Sequence, residues 1–216
     1  MTNLRPTPVV AFVDWNSQIH NANPPKGVPT FVAEQTLNHV GKIIGRALRH
    51  ISVEARFSVN LRIYHGWHKG FEPTENRRAL ITASAGTNFS LLSTNSNVII
   101  RPDISFGDRL ISALDTRLHT RLGVHLPDTL RPVSRRARRK DALEEKMVDT
   151  AMASDIVDLA HRDSDSWILI MGEDDDLVPP LYTIEAIRGN RHRRVLLIRK
   201  RAAGPFLKLD DFQVYK

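Results

Sequence analysis

Three features of the chain predict a three-layer α/β/α fold built around a central, mainly parallel sheet of five or six strands. Short β-branched apolar runs alternate with segments of helical periodicity, as βαβ units do. Residues 8–13 (Pro-Val-Val-Ala-Phe-Val) and 166–171 (Ser-Trp-Ile-Leu-Ile-Met) are nearly continuous apolar runs, the mark of strands covered on both faces. Each is followed by acid: Asp14 ends the first, and Asp174, Asp175 and Asp176 follow the second. At 216 residues, one domain carrying an insertion is the expected organisation.

After the first strand, residues 21–29 read as a Pro/Gly/Asn loop, and Thr30 then caps a helix through Val32, Leu37, Val40, Ile43, Ile44 and Leu48. Residues 58–64 alternate as a second strand, and residues 72–85 form a helix beginning after Pro73. Residues 97–101 make a third short strand, stopped by Pro102. Residues 103–140 are treated as a basic insertion, with a helix possible over 110–118 and an extended segment over 126–133. Residues 141–161 read as a helix with an apolar stripe of Leu143, Met147, Met152, Ile156 and Leu159. Beyond the second acidic strand end, residues 177–187 form a helix whose prolines, Pro179 and Pro180, fall in its first turn. Residues 194–199 are a last parallel-type strand, and residues 207–215 add an edge strand.

Hydrophobic residues make up 41% and charged residues 25%, so the chain is expected to fold. It has no cysteine, which excludes disulfides and thiolate zinc sites and leaves oxygen or imidazole for any metal, favouring magnesium or manganese. No signal-peptide pattern and no membrane-length apolar run are present, so a cytoplasmic location and no membrane partner are expected. Residues 141–176 hold twelve of the 24 acidic residues against only Lys146 and Arg162, a balance of −10 that leaves the other 180 residues at +17. Basic clusters flank this segment: Arg131, Arg135, Arg136, Arg138, Arg139 and Lys140 before it, and Arg188, Arg191, Arg193, Arg194, Arg199, Lys200 and Arg201 after it. An acidic spot in a basic body suits a polyanion whose reacting phosphate meets a cation, although a solvated basic surface has the same composition.

In an open parallel sheet, ligands bind at the carboxyl ends of strands near the point where strand order reverses. If the two acid-ending strands are neighbours, Asp14 meets Asp174 and Asp176 there, with Asp149 contributed by the preceding helix. At about 6 Å and an effective dielectric near 20, each like-charged pair costs roughly 3 kcal/mol, which a divalent cation relieves. Side chains two apart in extended chain point the same way, so Asp174 and Asp176 face one ion while Glu173 and Asp175 turn aside. The competing explanation is an acidic turn whose carboxylates cap the next helix, with Asp149 an N-cap and Asp155 or, preferably, Asp158 facing solvent.

Three segments taken together resemble the signature of NYN-domain nucleases of the PIN-like superfamily: Val10-Ala-Phe-Val-Asp14; Lys146-Met-Val-Asp149, with Asp155 six residues on; and Ile170-Met-Gly-Glu-Asp-Asp-Asp-Leu-Val-Pro179. Their order matches as well. In that family the first segment ends a strand with aspartate, the second reads roughly Lys-Gly-x-Asp on a helix, and the third roughly Ser-Gly-Asp-x-Asp-Phe-x-Pro. The closing Leu207-Lys-Leu-Asp-Asp-Phe212 is similar to the family's final strand region. Here Met147 replaces the glycine, Gly172 and Glu173 replace Ser-Gly, and Leu177 replaces the phenylalanine. The family's asparagine falls three residues after the first aspartate; in this chain Asn16 is two after and Ser17 three after Asp14.

The resemblance implies a PIN-like, Rossmann-type fold and a metal-dependent ribonuclease hydrolysing phosphodiester bonds. Asp14, Asp149, Asp174 and Asp176 would be catalytic metal ligands for Mg2+ or Mn2+, with Asp155 adjacent and Asn16 and Ser17 as weaker site candidates. Arg135, Arg136, Arg138, Arg139, Lys140, Lys146, Arg191 and Arg193 would hold backbone phosphates, with RNA preferred over DNA and a homo-oligomer open. Trp15, Tyr64, His65 and Trp67 are either base-stacking residues or buried ones, and His65 with His68 is a poor zinc pair. The alternative is a catalytically silent NYN-type module that binds nucleic acid or regulates; a different magnesium-dependent phosphohydrolase is a third possibility.

Overall fold

In the computed structural model, residues 5–114, 133–136, 143–163, 165–188, 195–200 and 214–215 are described, with 114, 133–136, 143–146 and 214–215 described by backbone alone. The chain forms β1 (Thr7–Asp14), α1 (Trp15–Ala22), α2 (Pro29–Ile51), β2 (Phe57–Tyr64), β3 (His68–Lys69), β4 (Glu72–Pro73) and α3 (Glu75–Gly86). It continues with α4 (Phe89–Leu92), β5 (Val98–Ile100), β6 (Ser105–Phe106), β7 (Val133–Arg136), β8 (Leu143–Lys146) and α5 (Val148–Arg162). The last elements are β9 (Trp167–Met171), α6 (Val178–Arg188), β10 (Val195–Ile198) and β11 (Val214–Tyr215).

The central sheet runs β11-β10-β9-β1-β2-β5, with β6 also pairing β2. Every pairing in it is parallel. Strand β5 pairs Phe57–Val59 and β6 pairs Arg62 and Ile63, so the two short strands form one edge interrupted around Pro102. The chain steps outward from β1 through β2 to β5, then returns to the other side of β1 and steps through β9, β10 and β11. Strand order therefore reverses between β1 and β9, whose residues 9–13 and 167–171 pair directly.

Side-chain alternation along β1 explains the layers. Val9, Ala11 and Val13 face a core with Leu37, Val40, Ile44 and Leu48 of α2 and Ala79, Leu80 and Ala83 of α3. Phe12 faces the opposite core, with Met152 and Ile156 of α5 and Leu181 and Ile184 of α6. The three-layer α/β/α fold with a parallel central sheet is therefore the observed architecture.

Several local expectations are corrected. Residues 143–146 are a strand, not the start of a helix: Leu-Glu-Glu-Lys favours a helix locally, but antiparallel pairing with Val133–Arg136 overrides that preference. Together with β3 and β4 these strands make a second, four-stranded sheet. The helix starts only at Val148, because Met147 takes a left-handed conformation at φ 68° that ends the strand and turns the chain. Within the stretch expected as an insertion, Ser105 and Phe106 pair in the central sheet, and Val133–Arg136 pair with Leu143–Lys146 beyond its expected end. Helix α2 begins at Pro29 with Val28 at the cap position and no side-chain cap, so Thr30 lies inside it. Helix α3 begins at Glu75, since Glu72 and Pro73 pair with Lys69 and His68. Helix α1 occupies residues 15–20, for which the sequence predicts no element, and the first two residues of the expected loop. The expected helix over 110–118 is a short 3-10 turn at Ser112–Leu114 in its described part; residues 115–118, 126–132 and 207–213 lie outside the described residues.

Candidate metal centre at the strand-order reversal

Asp14 is both the last residue of β1 and the N-cap of α1, a consequence of the strand passing into the helix without a loop. One carboxylate oxygen accepts the backbone N–H groups of Asn16 (3.2 Å) and Ser17 (3.4 Å), and the other accepts the Ser17 hydroxyl. The side chain is buried. Burial pushes its pKa up from the ordinary 3.8; hydrogen bonds from Ser17 and Asn16 act against this, and the neighbouring charge of Asp174 adds to it.

Asp174 follows β9 and opens the 3-10 turn Asp175–Leu177, accepting the backbone N–H of Asp176 at 3.0 Å. Gly172 permits this turn to close against β1. A Cβ there would run into Leu177 and sit 3.5 Å from the Cβ of Asp14. Asp149 lies in the first turn of α5, where a carboxylate suits the helix dipole. Its pKa is nevertheless raised, first by burial and then by Asp14, Asp174 and Asp176. The fold thus gathers four carboxylates from three separate stretches of chain, and their mutual repulsion is felt at Asp14 and Asp149. Asp14, Asn16, Ser17, Asp149, Glu173, Asp174 and Asp175 line a cleft of about 340 Å³.

The expected alternation, with Asp174 and Asp176 facing the site and Glu173 and Asp175 turned aside, does not describe this turn: Glu173 and Asp175 line the cleft and Asp176 is not among its lining residues, although its charge is felt at Asp149. The Glu173 carboxylate accepts Asn21 Nδ2 at 2.8 Å and the Lys200 N–H at 2.7 Å, and Asp175 pairs with Arg199 at 2.8 Å. Ser17 and Asn16 do lie in the cleft, where they hold the Asp14 carboxylate. Asp155, expected beside the metal ligands, is instead set apart from them. One of its oxygens accepts Arg62 (2.7 Å) and the Tyr64 hydroxyl (2.7 Å), and the other accepts the Ile111 N–H (2.7 Å). Its position six residues after Asp149 along α5 moves it into the interior, where it is 1% exposed.

The donor set is all carboxylate oxygen, which suits a hard divalent cation, and repulsion within it is what such a cation relieves. As the side chains lie, no group of three Asp, Glu or His among the described residues is disposed to hold an ion. Asp14 and Asp174 each accept the N–H groups that follow them.

Of the expected phosphate-binding residues, Arg135 and Arg136 lie on β7 and Lys146 ends β8, immediately before the Asp149 helix. Arg138, Arg139, Lys140, Arg191 and Arg193 lie outside the described residues. Trp15, Tyr64, His65 and Trp67 are buried and do not offer stacking faces. A second concavity beside the cleft, of about 250 Å³, is lined by Gln18, Asn21, His39 and Arg46, which the sequence does not single out, together with Arg199 and Lys200 of the second basic cluster. No helix among the described residues is long and apolar enough to cross a membrane. Compared with known proteins, the chain matches no family model, no curated protein and no solved structure.

Proposed function

We propose that the chain is a metal-dependent nuclease acting on RNA, in the manner of the NYN-domain, PIN-like nucleases it resembles. The observation that carries this reading is the convergence of Asp14, Asp149, Asp174 and Asp176 at the strand-order reversal, with the pKa of Asp14 and of Asp149 raised in part by the other acids. A supporting detail is Met147: it adopts a left-handed conformation where the family's second segment has glycine, the residue that takes this conformation without strain.

The four aspartates would hold Mg2+ or Mn2+, which supplies charge neutralisation at the phosphodiester and acidifies an attacking water. The chain's own part is positional. Ser17 and the Asn16 amide fix the Asp14 carboxylate, the Gly172 turn brings Asp174 against it, and the α5 N-terminus presents Asp149. A single strand is the substrate form that suits an open acidic cleft, with basic residues such as Arg135, Arg136 and Lys146 supplying salt-dependent affinity.

The absence of a ready ligand trio among the described residues favours a second reading, a silent nucleic-acid-binding module. Cleavage of labelled single-stranded RNA, structured RNA and matched DNA in manganese or magnesium separates the two. The expected result is RNA cutting that depends on the metal and falls by about a hundredfold or more in Asp14→Asn and in Asp174→Asn. Salt-sensitive binding without cutting in any metal would leave the silent module standing.

A further inference from the structure

Beside the acidic cleft lies a pocket of opposite character, walled by α1 (Gln18, Asn21), α2 (His39, Ile43, Arg46) and the end of β10 (Ile198, Arg199, Lys200). The two concavities share a partition. Glu173 and Asp175 line the cleft, and the groups they bind on their other side, Asn21, the Lys200 N–H and Arg199, line the pocket.

Arg199 is 2% exposed, and the protein satisfies it only in part. Its Nη2 donates to the Glu173 carbonyl and to Asp175, both at 2.8 Å, while Nε and Nη1 have no hydrogen-bond partner among the described residues. Buried donors left unpaired are costly, and charged ones more so. Arg46 and Lys200 add two exposed cations at the rim. Burial lowers the His39 pKa, and Lys200, Arg46 and Lys42 lower it further, so the imidazole senses a positive surround.

Resting on the nuclease reading, we propose that this pocket is a second phosphate-binding subsite, receiving a phosphate of the strand whose neighbouring linkage lies in the acidic cleft. Three cationic side chains offer the charge-assisted donors that a phosphate accepts best. The fold sets the pocket and the cleft at the same carboxyl edge of the sheet, separated by the thickness of Glu173 and Asp175. Such a subsite holds a strand across the cleft without reading its bases.

The test is calorimetric titration of the full chain in EDTA and low salt with adenosine 5′-monophosphate and with adenosine. The nucleotide is expected to bind about tenfold or more tightly than the nucleoside, and Arg46→Gln with Lys200→Gln is expected to abolish that preference. Both substituted residues are exposed, so the fold is retained, and Arg49→Gln one turn further along α2 serves as a charge control expected to bind as the wild type does. Equal binding of nucleotide and nucleoside, or an unchanged preference in the double variant, overturns the subsite. RNA cutting without any phosphate preference removes the subsite and keeps the nuclease; an Arg46-dependent preference in a protein that cuts nothing keeps the phosphate pocket and removes the nuclease.

Discussion

Helix α5 carries two aspartates six residues apart in opposite electrostatic surroundings. Asp149 is half-buried among other acids, and its pKa is pushed up. Asp155 is almost fully buried, yet the Arg62 guanidinium, the Tyr64 hydroxyl and the Ile111 amide surround it with donors. The deeper carboxylate is the one the protein neutralises itself. The shallower one is left facing like charges at the opening of a cleft. Burial of an acid is thus a poor guide to function here, and the missing counter-charge is the better one.

The sharpest way to break this contrast is to remove the neutralised acid. Asp155→Asn leaves the Arg62 charge without its partner at 11% side-chain exposure, and breaking such a pair costs about 3–5 kcal/mol. For a chain of this size that lowers Tm by roughly 10 °C. Thermal unfolding at neutral pH measures it, and a change below 2 °C, on the order of half a kcal/mol, would mean that Asp155 is not the anchor the geometry describes.

Asp149→Asn is expected to act with the opposite sign. Removing one of four repelling charges stabilises the metal-free protein by about 1 kcal/mol, a figure already reduced for the side chain's partial exposure. Its pH dependence follows from the raised pKa of Asp14 and of Asp149. Because the folded state holds these protons to higher pH than the unfolded chain does, the contribution of these two groups to stability is greatest below the ordinary value of 3.8. It declines as pH rises from there through the raised folded-state values. In EDTA the Tm of the wild type should fall relative to that of Asp149→Asn over that window. Manganese should restore wild-type Tm at neutral pH more than it raises that of the variant. A parallel pH profile for the two proteins would mean that the acids do not sense one another.

The acidic half of this contrast was legible in the sequence because each part is local. Val9 to Val13 and Ile168 to Met171 are continuous apolar runs, and the residues after them are acids whatever the rest of the chain does. That the two strands are neighbours was only a condition in the sequence, because strand pairing is a long-range property; the pairing of β1 with β9 meets it. Asp155 was misplaced because its partners are distant: Arg62 lies 93 residues away in sequence and Ile111 44. Helix α1 escaped notice because Trp-Asn-Ser-Gln-Ile-His-Asn-Ala has little apolar periodicity, burying only Trp15 and Gln18, and owes its start to Asp14. The basic pocket draws on α1, α2 and the end of β10, so no single stretch announces it.

Met147 offers the smallest and most local refinement. It joins the added hairpin to the helix that presents Asp149, and it does so at φ 68°, ψ 6°, a conformation that costs an ordinary L-residue about 1–2 kcal/mol. Its side chain is 39% exposed, so truncation removes little packing. Met147→Gly relieves the strain but adds freedom to the unfolded chain, for a net gain of roughly 0.5 kcal/mol and a Tm rise of about 1–2 °C. Met147→Val moves the other way, since a β-branched side chain tolerates this region least. If glycine instead destabilises the chain, the left-handed turn is not the junction that sets Asp149 over the cleft. The resemblance between this Lys-Met-Val-Asp segment and the family's glycine-bearing one would then lose its structural basis.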